Sequence, residues 1–172
     1  MELQYKSFYW CLGTTSFRTK KFNKKIEQQL ALLRDFWAFK RNCDKEWNGN
    51  NELQSDYYDF LHKFGFLSGN ANNKPKDARE KTSGLVSLGL INESRRLTAV
   101  GNELLKLSEQ NDFHVDNTLG IPADSFIYFK QLLKTSLQVE ENIVRPFLVT
   151  IYLITKLGGL SYKEFTYLLP LS

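Results

Sequence analysis

Mainly α, with one short β-hairpin set among the helices, is the fold class this sequence predicts. Three observations carry it. Apolar residues recur at helical spacing through most of the chain, caps and breakers separate those stretches, and only a short segment around Leu90–Ile91 reads as strand. The 172 residues are 42% hydrophobic and 14% aromatic, enough for a packed core, and a charged fraction of 24% is ordinary for a globular chain.

The first helix is expected over roughly 22–41, where Phe22, Ile26, Leu30, Leu33 and Trp37 form one apolar stripe and Lys24, Lys25, Arg34 and Arg41 lie mostly off it. A polar loop follows at 42–51. Leu53, Tyr57, Phe60, Leu61 and Phe64 make a second stripe, which the Gly, Asn and Pro residues of 65–77 break. A third helix is expected over 77–88, with Asp77 as its cap, Ala78, Thr82, Leu85 and Leu88 on one face, and Gly89 as its stop. Leu90 and Ile91 then form a short strand, Asn92 to Arg96 a polar tip, and Leu97 the return. Thr98 caps a helix carrying Leu104, Leu105 and Leu107.

That order, three helices, a small two-stranded wing and a helix, is the order of a winged-helix domain, in which the helix before the wing reads the ligand. Residues 1–110 are therefore expected to be a basic helix plus a winged-helix subdomain, 111–124 a linker, and 125–172 the start of a second, helix-turn-helix-like subdomain. In the last, Phe126, Phe129, Leu133 and Leu137 share one helix face and Ile143, Phe147, Ile151 and Ile154 another. Gly158-Gly159 is a stop, Ser161 with Glu164 a capping box, Leu160 with Phe165 a hydrophobic staple, and Pro170 an end. No recognition helix follows, so truncation within or beside this subdomain is the expectation.

Charge narrows the function. Residues 1–45 hold ten Lys/Arg against four Asp/Glu, while the remaining 127 carry a net −2 within a total of +4. A basic end on a near-neutral body points to a polyanion partner, nucleic acid before anionic membrane. No apolar run approaches the ~18 residues that span a bilayer, and the N-terminus lacks the order of a secretory signal, so a cytoplasmic protein is expected. Cys11 and Cys43 lack a metal-ligand spacing and read as free thiols; Trp10, Trp37 and Trp47 read as core or interface residues and not as base-stacking groups. Enzyme chemistry is poorly supplied. His62 and His114 are the only histidines, and no GxSxG, P-loop or HExxH occurs. A metal-dependent nuclease commonly sets an acid two residues before a Lys, placing both on one strand face around Mg²⁺. No Lys here has such an acid, and no catalytic or metal-binding residue is assigned.

Three stretches carry a resemblance: "LGTTSFRTKKFNKKIEQQLALL", "DAREKTSGLVSLGLINESRRLTAVGNELL", and "FIYFKQLLKTSLQ" followed by "LITKLGGLSYKEF". In this order they resemble the N-terminal recognition region of AlwI-type restriction endonucleases, type IIS and related nicking enzymes, over residues 8–169. The resemblance implies bacterial restriction-modification, recognition in N-terminal winged-helix units, and cleavage with Mg²⁺ in a separate C-terminal domain that this chain does not contain. The parent protein would be a type II site-specific deoxyribonuclease.

It also implies site residues. Arg79 and Lys81 fall on the family's basic positions in the recognition helix and Glu80 on its acidic one; Thr14, Thr15, Ser16 and Arg18 fall on its opening turn. Physically, Arg79 suits guanine O6 and N7, and Glu80 the N4 amine of cytosine. Lys74 and Lys76 before the helix, Arg95 and Arg96 on the wing, and Lys20, Lys21, Lys24 and Lys25 suit phosphates. The expected partner is a short asymmetric duplex DNA site, bound by a monomer, with a second nuclease subunit for cleavage as an option. Two other classes fit the same residues. A winged-helix transcription regulator would favour palindromic half-sites, and a helical module that binds protein or RNA would have no affinity for duplex DNA.

Overall fold

The computed structural model describes residues 22–139 and 141–168. Over them run α1 (Phe22–Ala38), α2 (Asn51–Lys63), α3 (Lys74–Ser87), α4 (Ala99–Gln110), α5 (Ala123–Lys134), β1 (Leu137–Val139), β2 (Asn142–Val144) and α6 (Pro146–Leu157), then a π-helical stretch, Glu164–Leu168. The chain is mainly helical, as expected. Two compact units divide it, the break falling within α5 between Phe129 and Lys130.

In the unit that runs to Phe129, α1 buries Ile26, Leu30, Leu33 and Trp37 of the expected stripe, leaves Phe22 half-buried, and adds Leu32 and Phe36. It ends three residues sooner than expected. Asn42 is buried and its amide donates to the carbonyl of Phe36 at 3.0 Å, which closes the helix. The polar loop that follows is anchored by Trp47, 1% exposed, whose ring meets Tyr57 edge-on at 5.6 Å. Phe36 packs at 5.0 Å from Tyr57 and 5.6 Å from Phe60. Such edge contacts add to the burial of large aromatic surfaces, and they make this cluster the centre of the core.

Asn50 caps α2 by accepting from the N–H of Leu53. The helix closes on Gly65, at φ 68°, with Phe66 N–H bonded back to Leu61. α3 packs along α2, and α4 along α1. The expected start of α3 at Asp77 is corrected. Asn73 is the cap, its side chain accepting from Lys76 N–H, with Pro75 in the first turn, while Asp77 already donates its N–H to the carbonyl of Asn73. Asn is as good a cap as Asp, and Pro just inside a helix start reinforces the earlier position. Lys74 and Lys76 are thus in the first turn of the helix and not ahead of it.

Gly89, at φ 66°, turns the chain out of α3, with Leu90 N–H returning to Leu85. The hairpin that follows is minimal: Ile91 pairs with Leu97, and Asn92 N–H donates to the carbonyl of Arg96. Thr98 caps α4 through Gly101 N–H and donates its hydroxyl to the carbonyl of Gly89 at 2.7 Å. Gly101 is required by contact: a Cβ there would lie 2.0 Å from the carbonyl oxygen of Leu90. The "LTAVG" run therefore does three jobs, pairing the hairpin, capping α4 and admitting the strand against it.

In the unit that begins at Lys130 the sequence expectation fails at one point. Leu137 and Ile143 do not continue helices. They lie in an antiparallel hairpin with Leu137 opposite Val144 and Gln138 opposite Ile143. The β-branched Val139, Ile143 and Val144 favour strand, and Pro146 restarts the helix at its first position. Gly158, at φ 75°, ends α6 as expected. The capping box is present: Ser161 N–H donates to the carboxylate of Glu164 at 2.8 Å, and Glu164 N–H to the hydroxyl of Ser161. Hydrogen bonding from the Ser161 side chain, and then from its main-chain N–H, holds the Glu164 carboxyl below the usual carboxylate range. No helix of the described residues is long and apolar enough to cross a membrane.

Candidate nucleic-acid interface

α3 is fixed by one face and displays the other. Ala78, Thr82, Gly84 and Leu85 are buried, whereas Lys76, Arg79 and Glu80 are exposed. The displayed cations sit near a helix N-terminus, where the macrodipole disfavours them, and acids of the same surface offset this. Lys74 pairs with Asp59 of α2 at 2.7 Å, and Lys76 with Glu80 one turn on at 3.8 Å. Both pairs are well exposed, so each is weak and open to exchange for another anion. Arg79 is held at one nitrogen, Nη1, which donates to Oε1 of Gln54 and reaches Oδ1 of Asn51 at 3.5 Å. Lys81 is half-buried, and its main-chain carbonyl accepts from Gln29 of α1.

The two arginines of the hairpin are used differently. Arg95 stands in the left-handed region at φ 59°. Its side chain is 11% exposed, and its Nε donates to the hydroxyl of Thr82 on α3 at 2.9 Å while its carbonyl accepts from the indole of Trp37 at 2.7 Å. Burial holds this guanidinium below the ordinary arginine value; Glu93 opposes that, and the charge of Arg79 adds to it. Arg96 lies 3.6 Å over the ring of Trp37 and donates to the carbonyls of Cys43 and Lys45. As placed, Arg95 ties the hairpin to α3 and Arg96 ties it to the loop between α1 and α2.

At the start of α1, Lys24 is exposed, while Lys25 donates to the carbonyl of Phe66 at 3.2 Å and sits over its ring. Thr14, Thr15, Ser16, Arg18, Lys20 and Lys21 lie outside the described residues. The structure thus displays Lys76, Arg79 and Glu80 on the exposed side of α3, leaves Lys74 at its N-terminus paired with α2, and gives Lys25, Arg95 and Arg96 partners within the fold. Sequence reasoning missed Gln54 altogether and read Thr82 only as part of an apolar face. The signal for both is the same, a polar residue standing in a buried helix face. Trp37 and Trp47 are in the core, as expected.

Chemistry of other kinds is thin here. His114 pairs with Asp112 at 3.1 Å, and His62 is exposed on α2. Among the described residues no group of three or more His, Cys, Asp or Glu stands together as a metal site. Asp56 and Asp59 line an open groove with Phe39, Phe60, Phe64, Arg41 and Lys63, and Asp59 there is the partner of Lys74.

Compared with known proteins, the chain matches the family model described as AlwI restriction endonuclease over residues 86–172, half of its length. The match begins in the last turn of α3 and covers the hairpin, the "LTAVG" cap and all that follows. No curated protein and no solved structure matches.

Proposed function

The chain belongs to the AlwI restriction endonuclease family, and from that premise we propose that these residues read duplex DNA for a site-specific endonuclease. α3 is the recognition helix of a winged-helix unit, and the hairpin at Ile91–Leu97 is its wing. The observation that carries this reading is the two-sidedness of α3. One face is locked into the core by Ala78, Thr82 and Leu85, and the other offers Lys76, Arg79 and Glu80, two cations and an acid at spacings that suit phosphate and base edges. Arg79 reads guanine and Glu80 cytosine, and Lys74 and Lys76 exchange their exposed carboxylate partners for phosphates. Lys24, Lys81, Arg18, Lys20 and Lys21 are further candidates for phosphate contact. Arg95 acts by holding the wing against α3, and Arg96 by holding it against the loop between α1 and α2.

In this reading the site is short and asymmetric and one chain binds it. Cleavage and its Mg²⁺ belong to a separate domain, with a second nuclease subunit where both strands are cut; no residue described here is given to the metal. Fluorescence titration of labelled duplex between about 50 and 200 mM salt tests the proposal. A fall in affinity of at least about tenfold is expected, because displaced counterions impose a steep salt dependence. Salt-insensitive binding contradicts the reading.

A further inference from the structure

We infer that Gln54 is a positioning residue for sequence specificity, pinning one end of the Arg79 guanidinium so that its other edge is presented to a base. The inference rests on α3 being the recognition helix.

Gln54 lies on α2 and is 2% exposed. Its amide has one assignable orientation. Nε2 donates to the carbonyl of Trp47 at 2.8 Å, so Oε1 is the atom left to accept, and it accepts from Nη1 of Arg79. Trp47 is itself fixed, 1% exposed and packed edge-on against Trp37 and Tyr57. A line of hydrogen bonds therefore runs from the aromatic core to the surface of α3. Asn51, in the first turn of α2, adds a second acceptor to the same nitrogen at 3.5 Å. Among the described residues, Nη2 and Nε of Arg79 have no acceptor. A guanine offers O6 and N7 to two parallel N–H groups, and the Nη2–Nε edge is such a pair. Arginine loses much rotamer freedom when it is ordered, and a side chain ordered before binding does not lose it again. Gln54 supplies that order from the buried side, where DNA does not reach.

The test measures binding of this chain to its preferred duplex and to duplexes changed at one base pair at a time. The wild type is expected to reject the wrong base at one position by about tenfold. Gln54→Met, similar in shape but without the acceptor, is expected to cut that to about twofold at the same position. Gln54→Glu keeps an acceptor for Arg79 while losing the donor to Trp47, and it is expected to keep the preference. With Arg79→Ala in place, Gln54→Met is expected to change discrimination no further. If Gln54→Met does not fold, Gln54→Asn, whose shorter amide withdraws the oxygen from Arg79, is expected to show the same loss.

Wild-type discrimination in Gln54→Met overturns the inference and leaves the recognition helix standing. Loss in the Met and Glu variants alike, in step with thermal stability, also overturns it and makes Gln54 a structural residue. A wild type with no sequence preference overturns the inference and the recognition reading together.

Discussion

α3 and the hairpin after it lie beside one another, carry the same kind of charge, and use it in opposite ways. The hairpin turns its cations inward. Arg95 is nearly covered and bonded to Thr82, and Arg96 is stacked on Trp37 with two main-chain carbonyls as acceptors. α3 keeps its cations outward, with Lys76 and Arg79 exposed and held by weak or partial contacts. The difference teaches that a basic residue's use is set by what lies beneath it. A core indole reached at its face and loop carbonyls capture an arginine; a buried helix face with acceptors only at its edge leaves one available.

Substitutions at four positions sharpen or break that contrast. Gly101→Ala comes first, since a methyl group there would meet the Leu90 carbonyl and push the hairpin off α4. A loss of about 3 kcal/mol is expected in denaturant unfolding. Arg96→Ala removes the stack on Trp37 and two hydrogen bonds, and is expected to cost about 2 kcal/mol. Arg96→Lys is expected to recover little of that, because an ammonium lacks the planar fork. Unchanged unfolding midpoints for both Arg96 variants would erase the distinction between hairpin and helix. Arg79→Ala is expected to relax one base position by about tenfold, read by competition among single-substituted duplexes. Lys76→Ala has the smallest effect: stability within about 0.5 kcal/mol, weaker binding to every duplex alike, and a salt slope reduced by about one.

How much of this was legible in the sequence follows from how local each cause is. The stripe of α1, the turn at Gly89 and the Thr98 cap are set by residues within a turn or two of one another, and periodicity and capping rules found them. The start of α3 was misplaced because Asn73 and Asp77 are both competent caps and only the surrounding chain chooses. The β1–β2 hairpin was hidden because Leu133 and Leu137, and likewise Ile143 and Phe147, are four apart, a helical spacing that a strand of three residues can mimic. Gln54 was missed for a further reason. Beside an apolar stripe it reads as helix surface, and its burial depends on Trp47 arriving from a loop seven residues away in sequence. The same holds for the arginines of the hairpin, whose charge was plain and whose partners, at Thr82, Trp37 and Cys43, were not.

The most direct test is selection from a randomised duplex pool at about 150 mM salt, run in parallel on the wild type, Arg79→Ala and Arg96→Lys. Enrichment of one short non-palindromic site by the wild type, with a single position relaxed in Arg79→Ala and the site unchanged in Arg96→Lys, is the expected result. A palindromic site would contradict binding of an asymmetric site by a single chain. No enriched site, or one that Arg79→Ala selects as sharply as the wild type, would contradict the assignment of α3 as the reading helix.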